Sequence, residues 1–178
     1  VMYVLRLALT LLAIAAVVAA LLAAVNSVTA PVIAQLNETR TQQAIEAVLP
    51  GGGQKADVPA VDAGAPVSEV YKGENGYAVK VAPSGFGGAI EMMVGVDNEG
   101  KVLGISIIKH AETPSLGAVA AAKGSAGENF RGSFAGLSGT VAVSKDGGEA
   151  DTISGATITS RAVAVGVNAA LAAAAAMG

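Results

Sequence analysis

The chain changes its hydrophobic rhythm three times. Leu7 to Val25 is apolar throughout, with Thr10 the single polar position. Nineteen helical residues rise about 28 Å, close to the hydrocarbon thickness of a bilayer. A buried core helix would carry a polar face, and none is visible here. A cleaved leader would have a shorter apolar stretch and a small-x-small site. Val28-Thr29-Ala30 offers one, but Pro31 follows the cut and disfavours it. The pattern predicts a membrane span within an anchor over residues 1–28.

Pro31 to Leu49 then shows helical spacing, with Ile33, Leu36, Ile45, Val48 and Leu49 apolar among Gln, Asn, Glu and Arg. Pro50 and Gly51-Gly52-Gly53 end that helix. Residues 50–68, rich in Gly, Pro, Ala and Asp, read as a linker without a core of its own. We therefore expect a helix and linker over 29–68 and a folded domain over 69–178.

From Glu69 the period falls to two. Ile90, Met92, Val94 and Val96 alternate with Glu91, Met93 and Gly95, which predicts a half-buried strand. Asp97-Asn98-Glu99-Gly100 predicts a turn. Lys101 to Ile108 follows with Leu103, Ile105 and Ile107 on one face, so the two segments should pair as an antiparallel hairpin. Further strands are predicted over 77–82 and 140–144, with a short alanine-rich helix over 117–123. A long helix is predicted over 159–177, with Thr157 just before it. Its apolar length invites comparison with a second span, but alanine favours close packing on a sheet. The body reads as α+β: an antiparallel sheet packed with helices, preceded by one N-terminal transmembrane helix.

Composition narrows the chemistry. The 178 residues include no cysteine and one histidine, His110. Disulfides, iron–sulfur ligation, a cysteinyl cofactor link and a multi-histidine metal site are excluded. The net charge is −3 and the basic residues are scattered, so no groove for nucleic acid is expected. Arg6 stands directly before the span and the next basic residue is Arg40. The positive-inside rule then places the N-terminus in the cytoplasm and the body outside it. Val1 in place of an initiator methionine leaves room for upstream charges to weigh in.

The segment Asp151-Thr152-Ile153-Ser154-Gly155-Ala156-Thr157-Ile158-Thr159-Ser160 concentrates small residues and hydroxyls at a helix start. Free N–H groups and the helix dipole favour an anion there. Plain N-capping by the same hydroxyls is the competing reading. A Ser154–His110–Asp151 triad lacks the Gly-x-Ser-x-Gly elbow of a hydrolase.

Asp151-x-x-Ser154-Gly155-Ala156-Thr157 resembles the flavinylation motif Asp-x-x-Ser/Thr-Gly-Ala-Thr. His110-Ala111-Glu112-Thr113-Pro114-Ser115-Leu116-Gly117 resembles the Glu-Thr-Pro-Gly-Leu-Gly stretch of the same domains, with Ser115 at a glycine position. Gly85-Phe86-Gly87-Gly88 is similar to their Gly-aromatic-Gly-Gly turn. These segments fall in order over residues 70–170, and with the span the likeness covers nearly the whole chain. It points to the family of the G subunit of the Rnf electron-transport complex. The C subunit of the sodium-pumping NADH:quinone reductase shares the layout.

The resemblance implies a membrane-anchored electron carrier with FMN esterified to Thr157 by a flavin transferase that reads Asp151. It assigns phosphate or ribityl contacts to Ser154, Gly155, Ala156 and Thr159. It sets Glu112, Thr113, Leu116, Gly117 and Gly87 about the isoalloxazine ring. Gly85 and Gly88 are expected in a tight turn. His110 is expected to be structural, and Lys123 to be a solvated helix lysine rather than a counter-charge. The partners implied are other membrane subunits of an ion-translocating ferredoxin:NAD oxidoreductase, with no independent catalysis. The FMN domain would lie on the periplasmic side of the inner membrane. The rival class is a cofactor-free tethered scaffold, in which the threonine segment is only a cap.

Overall fold

The computed structural model describes residues 2–61 and 63–178. The chain divides into two units, Val1–Arg40 and Thr41–Gly178. The first element, α1 (Met2–Val48), is a single helix with Pro31 inside it. Sequence reasoning broke the chain at Pro31 into a span and a second helix. The helix instead continues, at the loss of the one N–H that proline lacks.

In the first unit the described side chains are exposed throughout. An 18-residue stretch of α1 has a mean hydropathy of 2.8 and no buried residue, so the helix is long and apolar enough to cross a membrane. Its hydroxyls are satisfied locally. Thr10 donates to the Arg6 carbonyl at 2.8 Å, Ser27 to Ala24 at 2.8 Å and Thr29 to Val25 at 3.0 Å. A span meets its polar groups internally in this way, because lipid offers no partner.

In the second unit, five described strands form one antiparallel sheet in chain order: β1 (Gln54–Ala56), β2 (Val67–Lys72), β3 (Gly76–Val81), β4 (Glu91–Asp97) and β5 (Val102–Lys109). The predicted β4–β5 hairpin is present, with Met92 opposite Ile107 and Val94 opposite Ile105. Its register shifts at two points, the first between Glu91 and Met92. The pairing shifts again between Gly95 and Val96, so Val102 is buried and Leu103 is left 41% exposed as the extra residue of a bulge.

β4 is buried on both faces rather than half-buried. One face meets α3 (Thr157–Met177), whose Val163, Val167 and Ala170 pack with Val79, Val94 and Met92. The other face receives the end of α1, where Ala44, Ile45, Val48 and Leu49 pack on Ala78 and Met93. Small residues set both distances. A Cβ on Gly166 would press on Met92 and Pro83, and one on Gly95 would enter the Val48 carbonyl. α3 passes the length and hydropathy test for a span, yet 67% of its apolar window is buried, as expected of a core helix.

Three local expectations are corrected. The stretch over 50–68 is not a bare linker: it carries β1, begins β2 and buries Ala65. The helix expected over 117–123 is a tighter 3-10 turn, Gly117–Ala121, followed by an unforeseen α2 (Ser125–Gly132). Arg131 of α2 donates to the carbonyls of Ala120 and Ala122 at 2.6 and 3.1 Å, closing that turn. The strand expected over 140–144 reduces to a bridge between Val143 and Ala150. Asn168 of α3 takes the place of a strand neighbour: it accepts from the Val141 N–H at 2.8 Å and donates to the Val141 carbonyl at 2.9 Å. Asn168→Ala leaves both backbone groups of a buried residue without that partner. Urea unfolding is expected to show a loss of about 1–3 kcal/mol.

Glu69 of β2 is the perturbed carboxylate of the sheet. The Tyr71 hydroxyl donates to it and holds its pKa below the ordinary value. Partial burial opposes that shift, and Lys80 and Lys55 reinforce it. A depressed carboxylate stabilises above its unfolded pKa of about 4.3 and loses that contribution as pH falls through the folded value. Glu69→Gln is therefore expected to cost up to about 1 kcal/mol at pH 7. The gap to wild type should narrow by pH 3 in urea titrations at both values.

Candidate flavin site

Ile153 to Thr157 makes the turn into α3. Gly155 has φ of 76°, the left-handed region, and a Cβ there would lie 3.1 Å from Leu116. The backbone thus folds tightly and puts Ala156 at the N-cap of α3. Among the described residues no side chain caps this helix.

The segment's hydroxyls divide into two kinds. Ser160 accepts from the Ile153 N–H and donates to the Ala156 carbonyl, both at 3.0 Å. Thr159 is buried and donates to Glu112 Oε2 at 2.5 Å. Ser154 is exposed and Thr157 half-buried, and no hydrogen bond engages either hydroxyl among the described residues. Capping therefore does not account for them. An open helix start with two free hydroxyls fits an anion.

These residues line a cleft of about 630 Å³, within the range of small-molecule and cofactor sites. One wall is Ser154, Gly155, Ala156, Thr157 and Thr159; the facing wall includes Glu112, Thr113, Leu116 and Gly117. Nine residues named from the sequence thus meet around one cavity. Gly87 stands behind it, its N–H donating to Glu112 Oε1 at 2.9 Å. Asp151 lies apart, on a neighbouring cleft of about 350 Å³ that also includes Ser115, Asn129 and Ser154.

Ser115 has φ of 62°, so the serine keeps the left-handed backbone that glycine would favour at this place. His110 has a structural contact: its Nδ1 accepts from the Glu112 N–H at 3.2 Å. No hydrogen bond joins Ser154, His110 and Asp151 among the described residues, so no triad is assembled.

Sequence reasoning missed Phe86, Ile158, Ser144 and Lys145, all of which line the cleft. Phe86 was visible as the aromatic of the Gly-Phe-Gly-Gly turn. It is 68% exposed, Ile158 53% and Leu116 43%, which gives the mouth an apolar rim. Lys145, not Lys123, is the cation of the lining. It sits in a 3-10 turn, Ser144–Asp146. That turn is tied to the acceptor segment by a 2.9 Å bond between the Ser144 and Thr152 hydroxyls. Asp146 joins the same turn to α3 by accepting from Arg161 Nε and Nη2 at 2.8 and 2.5 Å. That pairing holds the Asp146 carboxyl below its ordinary pKa.

An uncapped helix start, a left-handed glycine, an apolar rim and a lysine define a site suited to a phosphate-bearing aromatic cofactor. The family of FMN-binding domains matches over residues 85–172, the stretch that contains every wall of the cleft.

Individual relatives go further. The G subunit of the Na(+)-translocating ferredoxin:NAD(+) oxidoreductase complex of Acetobacterium woodii is 38% identical, over 92% of this chain and 87% of its own. The G subunit of the ion-translocating oxidoreductase complex of Methanosarcina acetivorans is 34% identical, over 86% and 85%. The G subunit of the proton-translocating ferredoxin:NAD(+) oxidoreductase complex of Clostridium ljungdahlii is 43% identical, over 51% of this chain and 49% of its own. The chain belongs to the family of G subunits of Rnf-type ion-translocating oxidoreductase complexes.

Proposed function

We propose that this chain is a membrane-anchored flavoprotein that relays electrons within an Rnf-type ion-translocating complex, with FMN attached covalently to Thr157. The observation that carries this reading is the open start of α3: a free Thr157 hydroxyl at an uncapped helix end, facing a cleft of cofactor size. By family resemblance, a flavin transferase supplies the FMN half of FAD. The Thr157 oxygen forms the new bond to phosphorus, the pyrophosphate linkage breaks, AMP leaves and the hydroxyl proton is released. Asp151, exposed beside a separate cleft, is accessible to such an enzyme.

The bound group supplies the redox chemistry, and the chain positions it and sets its surroundings. The free N–H groups at the start of α3, with Ser154, would hold the phosphate diester. Lys145 offers a compensating charge. Phe86, Leu116 and Ile158 would give apolar contact to the ring. A covalent link also keeps the cofactor from diffusing away outside the cytoplasm.

α1 serves as the single span, with Arg6 on the cytoplasmic side and the FMN domain on the periplasmic side. The neighbours are other membrane subunits, and the chain has no substrate turnover of its own. Relatives named for sodium and for proton translocation both resemble this chain, so the coupling ion is assigned to the assembled complex rather than to this subunit. The C-subunit arrangement of a quinone reductase and a cofactor-free scaffold are the alternatives.

The test is to purify the full chain from membranes after co-expression with a flavin transferase. A denatured gel band fluorescent under ultraviolet light, and a flavin absorbance that bleaches with dithionite and returns with a one-electron acceptor, are expected. A wild-type band without flavin contradicts the carrier reading.

A further inference from the structure

The Glu112 carboxylate is 6% exposed, and no cation pairs with it among the described residues. A carboxylate in that position is normally unfavourable unless its oxygens are well occupied. Here each oxygen is taken by a different, distant segment. Oε1 accepts from the Gly87 N–H, 25 residues earlier, and Oε2 from the Thr159 hydroxyl, 47 residues later. The backbone N–H of Glu112 is itself held by His110.

Glycines clear the space around this group. A Cβ on Gly85 would fall inside contact distance of Oε1, and one on Gly117 inside that of both Oε2 and the Thr159 hydroxyl. A Cβ on Gly87 would enter the Ala111 carbonyl. The rim residues Phe86 and Leu116 are carried on the segments so joined, and Thr157 stands two positions before Thr159. Because both carboxylate oxygens bond protein donors, the side chain joins parts of the cleft to one another.

We infer that Glu112 is a positioning residue, which locks the Gly85–Gly88 turn and the first turn of α3 together and so keeps the flavin ring seated between them. The ring-seating part rests on the flavin reading above; the lock itself does not. A phosphoester linkage fixes only one end of FMN. A ring tethered at Thr157 without the lock would stay attached and lose its orientation.

The full chain in detergent tests both parts. In the flavin-free protein, amide hydrogen exchange at residues 85–88 and 157–160 is expected to rise several-fold in Glu112→Ala. Glu112→Gln, which keeps an acceptor for Gly87 and a partner for Thr159, should remain near wild type. In flavinylated protein, Glu112→Ala should keep its adduct by intact mass. Its flavin anisotropy should fall and iodide quenching should rise, with Glu112→Gln again near wild type. Unchanged exchange in Glu112→Ala overturns the lock. Equal loosening in Glu112→Gln also overturns it, because charge and not bonding geometry would then be responsible. Unchanged anisotropy and quenching in Glu112→Ala overturn ring seating.

If Glu112→Ala does not fold, Thr159→Val removes the α3 arm alone. Exchange at residues 157–160 should then rise, and no rise there overturns the lock. A wild-type chain that never acquires flavin defeats the carrier reading, while the exchange experiment still decides the lock.

Discussion

Thr157→Ala is expected to fold normally and to carry no covalent flavin. The two halves of this result have separate causes. Thr157 is the first residue of α3, half-buried, and its hydroxyl bonds no protein group among the described residues. Alanine is the best helix former, so the substitution should change stability by no more than about 0.5 kcal/mol. The hydroxyl oxygen, however, is the atom that would bond phosphorus. Its removal should reduce in-gel flavin fluorescence to background, while the thermal midpoint of the flavin-free protein stays within about 2 °C of wild type. Thr157→Ser keeps the oxygen but frees its rotamer, and reduced labelling is expected. By contrast, Thr159→Ala would remove a buried hydroxyl that bonds Glu112. A loss of flavin there would not identify an attachment site.

Gly95→Ala is expected to be a strongly destabilising single methyl in the sheet. Gly95 lies in the middle of β4 opposite Gly104, with the end of α1 crossing directly over it. A Cβ would enter the Val48 carbonyl, a backbone atom that cannot rotate away. Relief requires lifting α1 from the face formed by Ala78 and Met93. Overpacking of this kind costs about 1–3 kcal/mol, and displacement of Ile45 and Leu49 places this site at the upper end. At roughly 3 °C per kcal/mol, a fall of about 6–9 °C is expected by differential scanning calorimetry. The same contact bears on where the folded domain starts. We propose that it begins near Thr41 and not at Glu69, because Ala44, Ile45, Val48 and Leu49 are part of its core.

The long elements were legible because period and length agreed. The apolar run of α1, the β4–β5 hairpin and the alanine-rich α3 each repeat a pattern over many residues. The elements that went unread are short or depend on distant partners. β1 has three residues, and β2 mixes Ser, Glu and Lys with Val and Tyr, so neither shows clean alternation. The strand expected over 140–144 failed because Asn168, 27 residues away, supplies the hydrogen bonds of Val141. Pro31 was read as the start of a second helix, whereas one helix runs through it without its N–H.

At the site, the two motif segments were readable and the resemblance set both about one cofactor, but the contacts that join them were not readable. Those contacts depend on α3 crossing the sheet and on a carboxylate bridging Gly87 to Thr159. Glu112 was read as a group for the ring edge, while its oxygens bond protein donors. Lys145 was invisible because nothing in Ser144-Lys145-Asp146 distinguishes it from a solvated turn. The Ser144–Thr152, Lys145–Thr152 and Asp146–Arg161 bonds bring that turn to the acceptor segment. The division of hydroxyls into structural ones, Thr159 and Ser160, and free ones, Ser154 and Thr157, likewise required coordinates.

The central claim is that Thr157 is the bonded atom's residue and not a cap. Peptide mass spectrometry of the wild-type chain, purified after co-expression with a flavin transferase, tests it most directly. The fragment that contains Thr157 is expected to gain one FMN minus water, with backbone cleavages placing the added mass on Thr157. An unmodified fragment, or the same mass located on Ser154, Thr159 or Ser160, would contradict the account.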